Sequence, residues 1–516
     1  MRLDLEPLAC EHVHDETSLA LFLDRLEEQL KRVDAAHSQL AFTQYQTRQR
    51  PEGMDEVEAV RASLMTNPDY QRVVSQWVGR VDEPMLGRRL VLWEKSFSQA
   101  RVSSRPEIRR LVNEISDTIV QFKYQVQGDT LDLGGVRNVL RTEVNRARRQ
   151  AAWLSFAPLS RQLEAKTRLL FKLRNEAAQA EGYRTYVEMQ LQSQGLTLEQ
   201  VKAILEELVV ASDPAYKRLM AEGAARHHLD QVQPWDVKFL LDGEGSLPIR
   251  YFPRAGIIPR LEEWGRDHDA VLSDLGISIH FMDIPYNGLS MTMNERDIRI
   301  LANPADGHNY YQTAFHELGH CLHSAYNNPG SYILRREPSI FSESMAEMMG
   351  YLVDDADWLR HHGLSEEDVA AAGTVAMGPW FAYIRQRSAY ALFEYEAYAN
   401  PDGDLDTLFA ATEARVLGCA FDPSPRWAAE PNAWYSRYPV YWQNYVLADV
   451  VASQIHHDLK HRFGSFWRNQ EAIAYVRQQY WAPGASIDWQ EKLERGTGER
   501  LNTRALVADL SGGTAD

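Results

Sequence analysis

Apolar residues recur at three- and four-residue steps through most of the chain. Between Leu19 and Ala41 the positions Leu19, Phe22, Leu26, Leu30 and Val33 form one stripe, the pattern of an amphipathic helix. The same spacing predicts helices over Ile108–Val126, Arg161–Ala180 and Leu198–Val210. Two helix starts are marked, by Thr197 with Gln200 three residues on, and by Ser365 just before Glu366 and Glu367. Beyond Pro234 the texture changes, and from Ile249 to Pro304 proline, glycine and β-type residues become frequent. Alternation predicts short strands at Ser278–Phe281, Leu289–Met293 and Ile298–Leu301, the last two joined by a polar turn at Asn294–Asp297. A small antiparallel sheet is therefore expected, after which helices resume at about Asn309 and dominate to about Tyr480.

Composition narrows the picture. The chain has 516 residues, with 55 Lys+Arg against 72 Asp+Glu and a net charge of -17. Such an excess of anions repels phosphate backbones, so no nucleic-acid partner is expected. The arginines between Arg137 and Gln150 are interrupted by Glu143 and read as a solvated helix face. Cys10, Cys321 and Cys419 lack CxxC spacing and read as small core residues in a reducing compartment. The acidic start MRLDLEPLACEH has no apolar h-region, and no run reaches the roughly 18 apolar residues of a membrane span. The expected address is the cytoplasm, with no membrane partner. There is no internal repeat, no linker long enough to separate independent domains, and a polar tail, residues 511–516, that is expected to be disordered.

The chemistry concentrates in Tyr310–His320, which contains His316-Glu317-Leu318-Gly319-His320, an HExxH pattern on a helical background. Four helical residues turn through about 400°, so both imidazoles share one face and can bind a single Zn²⁺, with Glu317 in reach of a water on that ion. Apolar Ala314, Phe315, Leu318 and Leu322 anchor the other face. Zinc then needs a third protein ligand, leaving the fourth position open. Position 326 is Tyr326, not the histidine of a metzincin. A second predicted helix, Ser339–Gly350, carries Glu343 and Glu347 on one face and Met345, Met348 and Met349 toward the core, with Ser339 or Ser342 as its expected cap. His323 also lies on the zinc face and reads as cleft lining or as support for a ligand, whereas Cys321 points into the packing.

Glu343 follows His320 by 23 residues, and here a resemblance appears. HELGH followed by FSESMAE resembles the HExxH-plus-glutamate zinc peptidases, or gluzincins, of the angiotensin-converting enzyme, thimet oligopeptidase and oligoendopeptidase type. Arg174-Asn175-Glu176-Ala177-Ala178 with Gly182-Tyr183, and Pro439–Asp449, are similar to further segments of bacterial members, so the likeness spans about Trp93 to Tyr480. It implies that His316, His320 and Glu343 hold one Zn²⁺, that Glu347 supports an imidazole N–H, and that Glu317 is the general base. It also implies that Tyr445 stabilises the oxyanion, with Tyr438 and Tyr441 in reserve. The implied fold is mainly α, a large helical body split by a deep substrate cleft, with the small antiparallel sheet beside the zinc-site helix. Residues 1–510 would form a single catalytic unit, with 1–150 as an N-terminal helical lid and 151–510 as the catalytic body.

Two departures bear on the substrate. The family's second oxyanion donor is a histidine, yet no histidine occurs between His362 and His456, and the corresponding stretch reads Asn432-Ala433-Trp434-Tyr435. Losing such a donor costs about 10²–10³ in kcat unless another group substitutes. The lysine that grips a substrate carboxylate in the angiotensin-converting type is also missing, with Ala433 near its place. The expected function is zinc-dependent hydrolysis of short peptides, in which an edge of strand Leu289–Met293 or Ile298–Leu301 receives an extended substrate. A zinc amide hydrolase for one small metabolite is the alternative, and a zinc-binding pseudo-peptidase without turnover is the second.

Overall fold

The computed structural model describes residues 3, 5–242, 247–284, 287–429 and 432–511. The expected tail beyond Ser511 lies outside the described residues. The chain forms two compact units. One takes the described residues of Met1–Ser104, Leu247–Val369 and Val451–Asn502; the other takes those of Arg105–Ser246, Ala370–Val450 and Thr503–Asp516.

The first unit is organised by a long amphipathic helix, Glu16–Thr47, several residues longer at both ends than its stripe predicts. Asp15 starts it by accepting from the Ser18 N–H, while the Ser18 hydroxyl receives the Asp15 N–H. Leu19, Leu23, Leu26 and Leu30 are fully inaccessible and cluster with Leu90, Trp93 and Phe97 of helix Pro84–Ser103 and with Ile333 and Leu334. Burying one such leucine contributes roughly 1.5–3 kcal/mol, which is why this stripe rather than helix propensity fixes the element. Further along, Phe42 joins Ile284, Met293 and Leu301, so the same helix covers one face of a sheet.

That sheet has three strands, Ile277–Phe281, Gly288–Asn294 and Asp297–Ala302, close to the predicted ones. The last two pair as the expected antiparallel hairpin, Leu289 opposite Leu301, with the Asn294 side chain accepting from the Arg296 N–H in the turn. The first strand joins in parallel, Ile277 beside Ile298. Alternation encodes which face of a strand is buried, not its direction, so the parallel pair was beyond the sequence pattern. The third strand is central and its Ile298, Ile300 and Leu301 are buried. Ile298–Leu301 therefore has no free edge, and the edge nearest the site is Gly288–Asn294.

In the second unit the helices Ala157–Ala180, Leu198–Arg226 and Leu405–Leu417 follow their apolar stripes, Leu198–Arg226 running on past Val210 and through Pro214. Thr197 accepts from the Gln200 N–H, as its spacing predicts. The helix expected over Ile108–Val126 stops at Gln121, and Tyr124–Val126 pairs instead with Asp129–Leu131. The cause is Gln127-Gly128, both at positive φ (51° and 93°), a two-residue turn whose twist suits a hairpin. The Arg137–Gln150 region is not a solvated face throughout. Arg149 is 1% exposed and, with Arg146, converges on the buried carboxylate of Asp236 at 2.7 Å. All three cysteines are free, Cys321 and Cys419 buried but Cys10 only half-buried, packed against the leucine cluster of the first unit. No described helix is long and apolar enough to cross a membrane.

Gly276 enters the first strand at φ 71°, where an added Cβ would overlap the Arg296 carbonyl. Gly276→Ala combines that overlap with an unfavourable backbone. We expect it to cost about 2 kcal/mol or more in urea unfolding, and an unchanged midpoint would show that the strand does not depend on this approach.

Candidate metal centre

Two helices of the first unit pack against each other, His308–Tyr326 with the HExxH pattern and Ser339–Gly350 with the two glutamates. The first buries Ala314, Phe315, Leu318, Cys321 and Leu322, with Phe315 edge-on to Trp358 and the Tyr311 hydroxyl donating to the Pro253 carbonyl at 2.6 Å. The second buries Ile340, Phe341, Met345, Met348 and Met349 completely. Their closest approach is at Gly319, where an added Cβ would lie 2.7 Å from both the Ala346 Cα and the Met345 carbonyl oxygen. A helical glycine costs up to about 1 kcal/mol relative to alanine, and here the near contact of two backbones offsets it. Neither serine caps the second helix, which the chain enters through extended Pro338. Ser342 instead places its hydroxyl 3.2 Å from His320 Nδ1.

This crossing brings His316, His320 and Glu343 together. One ligand-type atom from each lies within 4.8 Å of the others, and Glu343 Oε2 stands 3.6 Å from both His316 Nε2 and His320 Nε2. Donors held at 2.0–2.2 Å by a tetrahedral ion stand about 3.3–3.5 Å apart, so the spacing suits a small divalent cation. The other ring nitrogens are engaged elsewhere, with Glu347 Oε1 at 3.6 Å from His316 Nδ1 and Ser342 at His320 Nδ1. Both Nε2 atoms are thus left facing Glu343, the arrangement a metal-binding imidazole needs.

The electrostatics of the pocket ask for a cation. Burial opposes a charged His316, yet Glu347 and Glu343 outweigh it and raise this imidazole well above its ordinary value. Burial likewise opposes ionised Glu343, but the two facing histidines outweigh it and hold its carboxyl well below the usual carboxylate range. Glu317 is pushed upward by burial, partly offset by His316 and His320 and by a hydrogen bond from the Ser290 backbone. The edge strand passes so close that a Cβ at Gly288 would lie 2.8 Å from Glu317 Cγ. Carboxylates converging on two imidazoles leave negative charge that a divalent ion would neutralise.

His323 does not line the pocket. It is 5% exposed, and its Nε2 lies 2.6 Å from Glu337, which also pairs with the inaccessible ammonium of Lys492. Lys492 additionally donates to the Tyr480 carbonyl at 2.9 Å and sits 3.9 Å above the Phe341 ring. Burial draws the Lys492 ammonium downward despite its partner, whereas Lys492 and His323 together outweigh burial and keep Glu337 below its ordinary value. The Lys492 ammonium faces this carboxylate, so we take Glu337 as ionised. The triad braces the entry to the glutamate-bearing helix against the HExxH helix. Another potential ligand group, Glu263, His361 and His362, is closed by Arg468, which lies 3.0 Å from Glu263 and 3.3 Å from His361 Nδ1.

The predicted tyrosines belong to the second unit. Tyr445 lies in helix Trp442–Phe463, its ring 5.3 Å from Tyr441 and 5.6 Å from Trp434, while Tyr438 is 48% exposed. Sequence reasoning missed the Ser290 N–H, the close approaches at Gly288 and Gly319, and the Glu337–Lys492 brace. Of these only Gly319 carried a local signal, a glycine inside a strongly helical pattern.

Residues 139–244 match the family model of Peptidase family M3. That stretch lies in the second unit and does not include the HExxH helix. No curated protein matches the sequence. Among solved structures, the fold is similar to that of the M32 carboxypeptidase from Deinococcus radiodurans R1, with a TM-score of 0.68 and 16% identity over 96% of this chain and 98% of that one. The chain thus has the mainly helical fold of that carboxypeptidase, and the family match and the fold together support a metallopeptidase, a peptide hydrolase.

Two outcomes follow from the packing. Gly319→Ala forces the helix pair apart, so metal affinity measured by chelator competition should fall at least about tenfold. Lys492→Met leaves Glu337 buried without its main partner and should cost about 3–5 kcal/mol in urea unfolding near neutral pH. Glu337 has a depressed folded-state value, so its contribution is complete above the unfolded value of about 4.3 and is lost as pH falls through the lower folded one. The gap between wild type and Lys492→Met should therefore narrow on acidification; a constant gap would mean that the ion pair is not its source.

Proposed function

We propose that the protein is a zinc-dependent metallopeptidase of the gluzincin type that hydrolyses short peptides. The observation that carries this reading is the placement of Glu343 Oε2 at 3.6 Å from both His316 Nε2 and His320 Nε2, with Glu317 buried beside them. In this reading His316, His320 and Glu343 hold one Zn²⁺. Zinc so bound supplies Lewis-acid polarisation of a carbonyl and acidifies water. Glu347 keeps the His316 ring in its liganding orientation.

Glu317 accepts the proton released as water attacks the peptide carbonyl and delivers it to the leaving nitrogen, so the chain's own carboxylate completes the proton balance. Its hydrogen bond from Ser290 and the close strand at Gly288 limit its rotamers, which suits a group that must hold one orientation in both steps. Tyr445 serves as oxyanion donor, with Tyr438 and Tyr441 as neighbours able to share that role. The edge strand Gly288–Asn294 offers the extended backbone that a bound peptide would pair with. Residues 1–150 acting as a lid on a single catalytic unit, and a cytoplasmic address, belong to the same proposal. So does the closer kinship to the angiotensin-converting enzyme and thimet oligopeptidase type.

A second reading, a zinc amide hydrolase for one small metabolite, is favoured by one observation. Trp434 lies in the stretch where those peptidases carry a histidine, and it packs among Tyr438, Tyr441 and Tyr445. A pseudo-peptidase is disfavoured, because binding alone has no use for the buried carboxyl of Glu317.

Metal analysis with digestion of a mixed peptide library, read by mass spectrometry, tests the proposal. Wild type and Glu317→Gln should each carry about one zinc per chain, with turnover only in the wild type. Glu343→Ala should lose the metal, and Glu347→Ala should weaken it by roughly 10- to 100-fold. Products shortened one residue at a time from the carboxyl end would match the activity named for the Deinococcus protein. A zinc-loaded wild type that leaves the whole library intact would shift the reading to the small-metabolite hydrolase.

A further inference from the structure

The segment between helix Asn432–Arg437 and helix Trp442–Phe463 contains a backbone outlier. Val440 sits at φ 56°, in the left-handed region where a β-branched residue is crowded by its own side chain. Strain of this kind persists only where neighbours hold it. Here they hold it from both sides, the Val440 N–H donating to Glu394 Oε1 at 2.9 Å and its carbonyl accepting from Gln443 Nε2 at 2.5 Å.

A few residues upstream the same segment is gripped again. The guanidinium fork of Arg174 donates through Nη1 to the Tyr435 carbonyl and through Nη2 to the Ser436 carbonyl, both at 2.5 Å. Glu394 and Gln443 are inaccessible and Arg174 is 4% exposed. The second oxygen of Glu394 has no hydrogen-bond partner among the described residues, and burial pushes its carboxyl up to about 8. A leucine would fill that volume without the desolvation cost. What the acid adds is an acceptor for one strained N–H. Arg174 opens the Arg174–Ala178 motif, and its neighbour Asn175 donates to the Tyr398 carbonyl at 2.7 Å and accepts from the Tyr186 N–H at 2.9 Å. The inward polar groups of that motif therefore serve to fix backbone.

Tyr441 and Tyr445 follow directly on the gripped segment, their rings 5.3 Å apart. We propose that Glu394 and Arg174 are positioning residues that hold the chain reversal at Val440 in its left-handed conformation and thereby aim the tyrosine segment Tyr438–Tyr445. The consequence for turnover rests on the peptidase reading above; the consequence for backbone conformation does not.

The test uses the full chain and four variants, Glu394→Gln, Glu394→Leu, Glu394→Leu/Val440→Gly and Arg174→Lys. Each is characterised by kcat and KM on a peptide cleaved by the wild type, and the Glu394 variants also by crystallography. Glu394→Gln keeps an acceptor oxygen and should stay within about threefold of wild type. Glu394→Leu should lose roughly 10- to 100-fold in kcat at nearly constant KM, with Val440 leaving positive φ. Adding Val440→Gly should restore most of that loss, because glycine adopts the same φ without being held.

A merely structural role for Glu394 predicts instead that the second change deepens the defect. The proposal is overturned if Glu394→Leu keeps wild-type kcat with Val440 still at positive φ, or if the double variant is no better than the single one. Should Glu394→Leu fail to fold, Arg174→Lys decides: its single ammonium cannot span both carbonyls, so an unchanged kcat overturns the proposal. A wild type inert toward every peptide removes the peptidase reading alone, and the φ of Val440 in Glu394→Leu then settles the positioning role.

Discussion

The candidate centre depends on one close approach, the backbone of Gly319 against that of Ala346 and Met345. Each helix is a stable amphipathic element by its own pattern, but neither carries a metal site alone. HExxH supplies two nitrogen donors on one face and leaves the third ligand to be found. The crossing at Gly319 sets the distance and rotation at which Glu343 meets both imidazoles. A methyl group at that point would act on the donor spacing as directly as a change in a ligand, because packed backbones have no soft coordinate through which to yield.

Within each unit, buried charge is used as bracing. Glu337 ties His323 to Lys492 in the first unit, and Asp236 gathers Arg146 and Arg149 in the second. Arg385 donates to the Val416 and Val209 carbonyls and to Ser212 with no accessible surface to speak of. Interior ion pairs of this kind contribute little net stability, since desolvation offsets most of their attraction. Their effect is geometric: a charge that must stay paired permits only a narrow range of helix positions. At Glu394 the constraint is a hydrogen bond rather than a charge: a half-satisfied carboxyl is retained as acceptor at a point of backbone strain.

Much of this was legible in the residues. Helical stripes, the Thr197 cap and the three short strands follow from spacing and side-chain chemistry that act within a few residues. HExxH and the Glu343/Glu347 pair were legible for the same reason, since a four-residue step on a helix fixes a common face. Apart from the hairpin turn at Gln127-Gly128, which is local, the misread features depend on partners distant in sequence. Arg149 looked solvent-facing because Asp236 is 87 positions away. His323 looked like pocket lining because Glu337 and Lys492 enter from other segments. Ser342 looked like a cap, yet the helix begins at Pro338 and the hydroxyl reaches an imidazole.

The amino-acid sequence by itself determined which helices form, which faces they bury, and that two histidines and a glutamate would be available on helical faces. Periodicity and local capping act within one or two turns, so they need no knowledge of the rest of the chain. Only the tertiary structure decided that Glu343 rather than Glu347 faces both Nε2 atoms, that the first strand runs parallel, and that Val440 is held in a conformation its side chain resists. Each of those outcomes is set where segments far apart in sequence come within a few ångströms, and distance in space is the quantity that a linear pattern does not carry.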